Sequence, residues 1–485
     1  MYNPFLMAPM NTHCTTPSSI HDKVTPESIA AQAANAWARG TFSLIFMLLT
    51  CFQGSAQAAI PIQQWTLPNG ARVYLVESPA IAMVDVQIDF DGGSRRDPPA
   101  KAGLASVMAG MVDKGVLAKA GARAMSENDL NDGWADLGAQ FGGRAGPDTL
   151  SFSMRSLTEP ALLDKAVALA AREIGEPAFP DAVWQRESQR LVAALKESDT
   201  RPGSVVSRAY AKAVYGSHPY GYVISPASVA AILVADMRAA HAAAVVACGA
   251  RISMVGAVTR AQADALATRL LARLPQPACN LGAAGAAPLA AIADVQSLTA
   301  PSELRIPFAA AQAQVLVGQP GFKRDDPDYF ALTVGNYILG GGGFVSRLTT
   351  EVREKRGLTY GVSSSFSPRR QAGSFTISMQ TRPDQADQAL GLVRQVLAEF
   401  VAKGPTAAEL QAAKDNLIGG FALRLDSNRK LLDNVAAIAW NDLPLNYLDT
   451  WTQQIEAVTV ADITAAFARK LQPEKMATVV LGATP

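Results

Sequence analysis

Histidine is the side chain that most often moves protons or binds catalytic metals near neutral pH, and this 485-residue chain has four: His13, His21, His218 and His241. No two stand at the one-turn spacing that lets a helix present a pair of imidazoles to one ion. Ser106 lies in "KAGLASVMAGMVDKG", Lys101 to Gly115, without a neighbouring histidine base, so it lacks the activation a serine nucleophile needs. Gly340 to Gly343 lack the Lys-Ser/Thr of a phosphate loop and follow a helical pattern rather than a strand. A helix C-cap and tight turn at a close approach between domains is expected there. Arg353 and Tyr360 stand seven apart in "VREKRGLTY". On residue type alone they read as a helix-end arginine paired with Glu351 or Glu354 and a strand tyrosine packed in the core. His218, in "HPYG", reads as a capping or packing residue.

The elements that must position these residues come in two similar series. "QQWTL" and "ARVYLV" are β-prone runs around a "PNG" turn. "MVDVQIDFD" alternates as a strand, and Leu104, Val107, Met108, Met111 and Val112 follow at helical spacing. "DTLSFSMRSL" is a further strand, "EPALLDKAVALAAREIG" and "DAVWQRESQRLVAALKESD" are helices, and "RISMVGAV" closes the series. The second series runs through "AQAQVLVGQPGF", "PDYFALTVGNYILGGG", "GSFTISMQT", three further helices and "MATVVLG". Between them, 274–296 is rich in Pro, Gly and Ala with little periodicity, a linker that permits hinge motion. The expected class is α+β: two homologous domains, 62–273 and 297–485, each a mostly antiparallel sheet packed with helices.

Composition narrows the partners. Hydrophobic residues make up 49% and charged residues 18%, and the net charge is +1, with Lys and Arg in short clusters only. Nucleic acid is not expected as a partner. Thr41 to Ala58 is an apolar run behind Arg39 that ends in Ala56-Gln57-Ala58, a small-x-small cleavage pattern. Segment 1–58 is therefore read as a signal for export to the periplasm or an equivalent compartment, leaving no stable membrane span after cleavage. An uncleaved anchor and a lipoprotein modified at Cys51 are the alternatives. Export permits a disulfide between Cys248 and Cys279, although two buried thiols is the default expectation.

Three stretches together carry a family resemblance: "GGSRRDPPAKAGLASVMAGMVDKG", "HPYG" and "YILGGGGFVSRLTTEVREKRGLTYGVSSSF". The chain resembles the pitrilysin/insulinase-type peptidases, in particular the short two-domain members related to mitochondrial processing peptidase, from about Ile62 to the C-terminus. The resemblance implies a clamshell half. It also implies an H-x-x-E-H helix that binds zinc and polarises water. The matching positions here are Ser106, Ala109 and Gly110, so all three functional residues are absent. The family's third ligand, a Glu on a later helix, falls at Ala194 by register, with Glu187 seven residues before it. No cofactor is expected in this chain. The family's Arg/Tyr pair, which holds substrate and helps stabilise the oxyanion, matches Arg353 and Tyr360. The strand that pairs with extended substrate matches "GAQFGGRAGPD", with Gly142, Gly143, Arg144 and Ala145 as substrate-binding residues.

Half an active site of this kind implies the zinc-less subunit of a heterodimeric, exported zinc metallopeptidase. Its zinc-bearing homologous subunit would supply the metal, and a peptide would be the substrate. A peptide-binding or envelope scaffold protein without hydrolysis is the second reading, and a homodimer with its own activity a weaker third.

Overall fold

Gln63–Thr66 (β1) and Arg72–Glu77 (β2) pair antiparallel, and Gly70 N–H donates to the Leu67 carbonyl to close the turn between them. The computed structural model describes residues 60–119, 121–275 and 289–482. The export segment 1–58, Cys279 and most of the 274–296 linker lie outside them. The first series continues with Met83–Phe90 (β3), Gly115–Val116 (β4), Met125–Ser126 (β5), Gln140–Ala145 (β6), Leu150–Leu157 (β7) and Arg251–Gly256 (β8). β4 and β5 form a short ladder of their own, and the main sheet runs β1-β2-β8-β3-β7-β6. The second series comprises Ser302–Ile306 (β9), Ala313–Pro320 (β10), Thr359–Phe366 (β11), Ser374–Thr381 (β12) and Ala477–Leu481 (β13), ordered β9-β13-β10-β12-β11.

Leaving β1 and the short ladder aside, each sheet places its five strands in the order first, fifth, second, fourth, third. In each, only the first and fifth run parallel. The repeated order of elements in the sequence is thus a repeated topology, as internal duplication produces, and both sheets are mostly antiparallel.

The alternation of β3 has a consequence that one strand's pattern does not show. Val84, Val86, Ile88 and Phe90 join the core under the Pro160–Gly175 helix, as period-2 geometry requires. The opposite set, Asp85, Gln87 and Asp89, is buried as well. It is covered because the helix Asn428–Trp440, from the second half, lies on β2, β3 and β8. Reciprocally the first-half helix Pro202–Tyr215 lies on β10 and β13. There Val206, Tyr210 and Val214 pack on Ala477, Val479 and Leu481, and the Tyr210 hydroxyl hydrogen-bonds the Phe375 carbonyl and Thr376 Oγ1, each at 3.0 Å. Neither exchanged helix is among the segments that the sequence reading picks out. Hinge motion about the linker would have to strip both helices from their sheets.

Candidate functional site

The helix that carries Ser106, Ala109 and Gly110 is Leu104–Gly110, shorter than its apolar periodicity predicts; a 3-10 turn at Val112–Lys114 and β4 take up the remainder. Asp97 holds its amino end, accepting from the N–H groups of Gly103 at 2.8 Å and Ala105 at 2.9 Å. Burial pushes the Asp97 carboxyl up to about 6, against these hydrogen bonds, which favour its charged form.

Ser106 and Gly110 line a cavity of about 370 Å³ with Trp184, Glu187, Arg190 and Ala194 from the Asp181–Ser198 helix. Both candidate third-ligand positions, Glu187 and Ala194, therefore face the same space. Ala109 does not line it: this residue is 2% exposed and packs in the core. The Glu187 carboxylate is engaged by Arg186 at 2.9 Å and Arg190 at 3.2 Å. One hydroxyl and one paired carboxylate do not make the three- or four-ligand set that zinc takes. Among the described residues no three His, Cys, Asp or Glu side chains come together to hold a metal.

The two described histidines turn to the backbone. His218 Nδ1 accepts from Tyr220 N–H at 3.1 Å, capping the "HPYG" turn, and Nε2 lies 3.1 Å from the Ala293 carbonyl. His241 Nε2 lies 2.9 Å from the Ile174 carbonyl. Burial lowers the pKa of both. "HPYG" is also a junction between the halves, since the Tyr220 hydroxyl donates to Asp148 and accepts from Gln371 N–H. Cys248 is disulfide-bonded, so the expectation of two buried thiols is corrected.

β6, which carries Gly142, Gly143, Arg144 and Ala145, is the edge strand of its sheet and pairs only with β7. Its outer row of backbone donors and acceptors is free to take another strand. Gly143 is a glycine for steric reasons: a Cβ there would lie 2.7 Å from the Ala109 carbonyl oxygen. The helix with the missing zinc residues is thus packed directly against this strand.

The Arg/Tyr pair is built by a run of tight turns. The helix Tyr329–Asn336 passes into a π-turn at Tyr337–Gly341, a local form often met at functional sites. The Asn336 amide and Ser364 are clasped by two hydrogen bonds, 2.8 and 3.1 Å, which tie the helix end to β11. Gly340 presses on the same strand, where a Cβ would meet Ser364 N at 2.5 Å. The close approach at these glycines is therefore within the second half, a correction to the interdomain contact expected. Gly343–Val345 then turns out to solvent, and a second π-turn, Thr349–Glu354, brings Arg353 back toward Tyr360 at the start of β11.

The result is a guanidinium between two rings. Arg353 Cζ sits 4.7 Å from the Phe344 ring centroid and 5.0 Å from that of Tyr360, a cation–π sandwich worth about 0.5–1 kcal/mol per ring when exposed. The ordinary reading of these residues is overturned. Glu351 pairs with Lys355 and Arg356 instead, and Tyr360, 79% exposed, is outside the core. Among the described residues the Arg353 guanidinium has no ion pair and no hydrogen bond. Its five donors are held in place by stacking and left available at the edge. Phe344, 67% exposed, was not singled out from the sequence. An aromatic directly after the four glycines was its signal, but no spacing rule ties it to Arg353. The cavity beside Tyr360 shares no lining residue with the one at Ser106.

Residues 72–227 match the insulinase family (peptidase family M16), and residues 232–417 match the peptidase M16 inactive domain. The chain belongs to the M16 family. It is similar to the crystal structure of a peptidase M16 inactive domain from Pseudomonas fluorescens, with 36% identity and a TM-score of 0.81 over 88% of this chain and 98% of that one. It is also similar to YmxG of Bacillus subtilis, an uncharacterized zinc protease, at 24% identity over 87% of this chain and 98% of the relative. The non-peptidase homolog YmxG of Helicobacter pylori is 34% identical over 31% of this chain and 35% of its own length. Within this family the present chain lacks the H-x-x-E-H residues.

Proposed function

We propose that this chain is the zinc-less subunit of an exported, two-subunit M16 peptidase. A homologous partner carries H-x-x-E-H, the zinc and the activated water, and this chain supplies donors. Arg353 and Tyr360 bind the carbonyl oxygen of the scissile peptide and stabilise negative charge as it develops there, the kind of preorganised contact that contributes most to acyl-transfer catalysis. β6 aligns the extended peptide through main-chain hydrogen bonds.

One observation carries this reading. A guanidinium fixed between two exposed rings, with no acceptor of its own, is an unspent donor set, whereas the zinc positions of the same chain hold Ser, Ala and Gly. The test is peptide hydrolysis by this chain alone, by an H-x-x-E-H-bearing homologue alone, and by the mixture. Activity that needs both chains and disappears with a chelator supports the proposal. A stable complex that hydrolyses nothing points to the second reading, a peptide-binding or scaffold protein, which the non-peptidase name of the Helicobacter pylori relative favours.

A further inference from the structure

We infer that the inner face of β6 holds a subsite for the carboxylate side chain of an extended peptide, with Arg429 as the selecting residue. This rests on the reading of β6 as a peptide-docking edge and adds what that edge selects.

The register Gln140↔Arg155 and Gly142↔Ser153 puts these four residues on one face of the first sheet. Phe141 and Ala145 point to the other face and pack on the core. Beside Gly142 the inner face opens into a cavity of about 300 Å³, on the order of ten times the ≈30 Å³ share of one liquid water, which is room for a single side chain. Its polar walls are Gln140, Ser153, Arg155 and Arg429, the last reaching in from the exchanged helix Asn428–Trp440. No carboxylate lines it. A Cβ at Gly142 would meet nothing within 4 Å, so the way in is open.

The charges around the cavity are unequally spent. Asp85, buried below the sheet surface, holds Arg155 at both Nε and Nη2, 2.6 and 3.0 Å away. Arg429 has one long contact, Nε to Asp433 at 3.4 Å, and its side chain is 46% exposed. Arg144, exposed and on the same face, is held only by Gln87 at 3.4 Å. A cavity rich in donors, free of carboxylates and bordered by a loosely held guanidinium matches a carboxylate, which takes forked hydrogen bonds from arginine. A cationic side chain would meet like charge. A peptide along the free edge of β6 directs alternate side chains onto this face, so the occupant is a side chain and not a chain end.

The test uses the purified full chain and fluorescein-labelled peptides of about ten residues, identical except for a central Glu, Gln or Lys and all amidated at the C-terminus. A fourth peptide has the central Gln and a free C-terminal carboxylate. Fluorescence anisotropy at low salt gives each Kd. The Glu peptide is expected to bind roughly tenfold more tightly than the Gln peptide, as a charge-assisted bond would give, and the Lys peptide most weakly. Arg429→Ala should bring the Glu-to-Gln ratio close to one, and Arg429→Glu should turn the preference to Lys. Equal binding of Glu and Gln peptides overturns the subsite while leaving docking at β6 standing. A Glu preference that survives Arg429→Ala also overturns it, as does tighter binding of the free-acid peptide alone, which would assign the cavity to a chain terminus. No binding of any peptide removes the docking reading and this proposal with it.

Discussion

β6 and β11 occupy the same place in the two sheets, third in chain order and last at the edge, and each is preceded by an element carrying family-matched residues. At the zinc-motif positions packed beside β6 the chemistry is closed off. Ala109 is packed in the core, Glu187 is engaged by two arginines, and Asp97 is spent on the helix amino end. Before β11 the polar groups are settled too, with Glu351 bound by Lys355 and Arg356, yet Arg353 is left without an acceptor. Holding a guanidinium ready in solvent gains little stability, since exposed ion pairs would give as much. The contrast separates polar groups already paired within the fold from a guanidinium whose donors are left free.

The largest effect expected from breaking this contrast is on turnover. In a mixture with a zinc-bearing homologue, Arg353→Ala should lower kcat about 10²–10³-fold, the usual effect of removing one oxyanion donor. Its unfolding free energy should fall by no more than about 1–2 kcal/mol, the two exposed cation–π contacts that the side chain gives up. Wild-type turnover in that variant would end the assisting role.

Next comes packing beside Ser106, Ala109 and Gly110. Gly143→Val must displace the Ala109 carbonyl or Phe152 and should destabilise by about 2–3 kcal/mol in urea titrations, an overpacking effect. Gly142→Val, pointing to open space, should change stability far less. Equal destabilisation by both would show that strand conformation, and not contact with the helix, requires these glycines.

Glu173 extends the comparison to pH. It is fully buried, takes a 2.6 Å hydrogen bond from Trp134 Nε1, and burial pushes it up from 4.5 to about 8. A raised value in the folded state means that its contribution is complete below 4.5 and is lost as pH rises through 8. Glu173→Gln keeps an acceptor for Trp134 and cannot ionise. The variant should be more stable than wild type at about pH 9, on the order of 2 kcal/mol, and similar at about pH 5. His218 and His241 act in the opposite sense: their lowered values mean stability falls as pH drops below 6.5. A Glu173→Gln variant whose stability tracks that of wild type from about pH 5 to about pH 9 would count against a buried ionisation at Glu173.

The smallest effect concerns the exchanged helices. Tyr210→Phe removes the hydroxyl shared between the Phe375 carbonyl and Thr376 Oγ1 on β12 and should cost about 1 kcal/mol. The same substitution at Tyr360, exposed and outside the core, should not change stability measurably; a loss there equal to that at Tyr210 would deny the contrast between a structural and a waiting tyrosine.

The sequence by itself determined the class of fold, because strand alternation and helix periodicity are local and the two series of elements repeat. It also determined that the zinc residues are absent and that an Arg and a Tyr stand seven apart, since these are statements of residue type and spacing. It was silent on the helices Pro202–Tyr215 and Asn428–Trp440, whose burial depends on a sheet in the other half. For the same reason it did not show why Asp85, Gln87 and Asp89 are buried on the polar side of an amphipathic strand. Only the tertiary structure brought Glu187 and Ala194 to one cavity with Ser106 and Gly110. Only it placed Phe344 against Arg353, because two π-turns and a run of glycines bend the chain back on itself, and no periodicity encodes that return. Whether a charged group such as Arg353 is paired or free is set by how the folded chain turns around it, which residue type and spacing do not give.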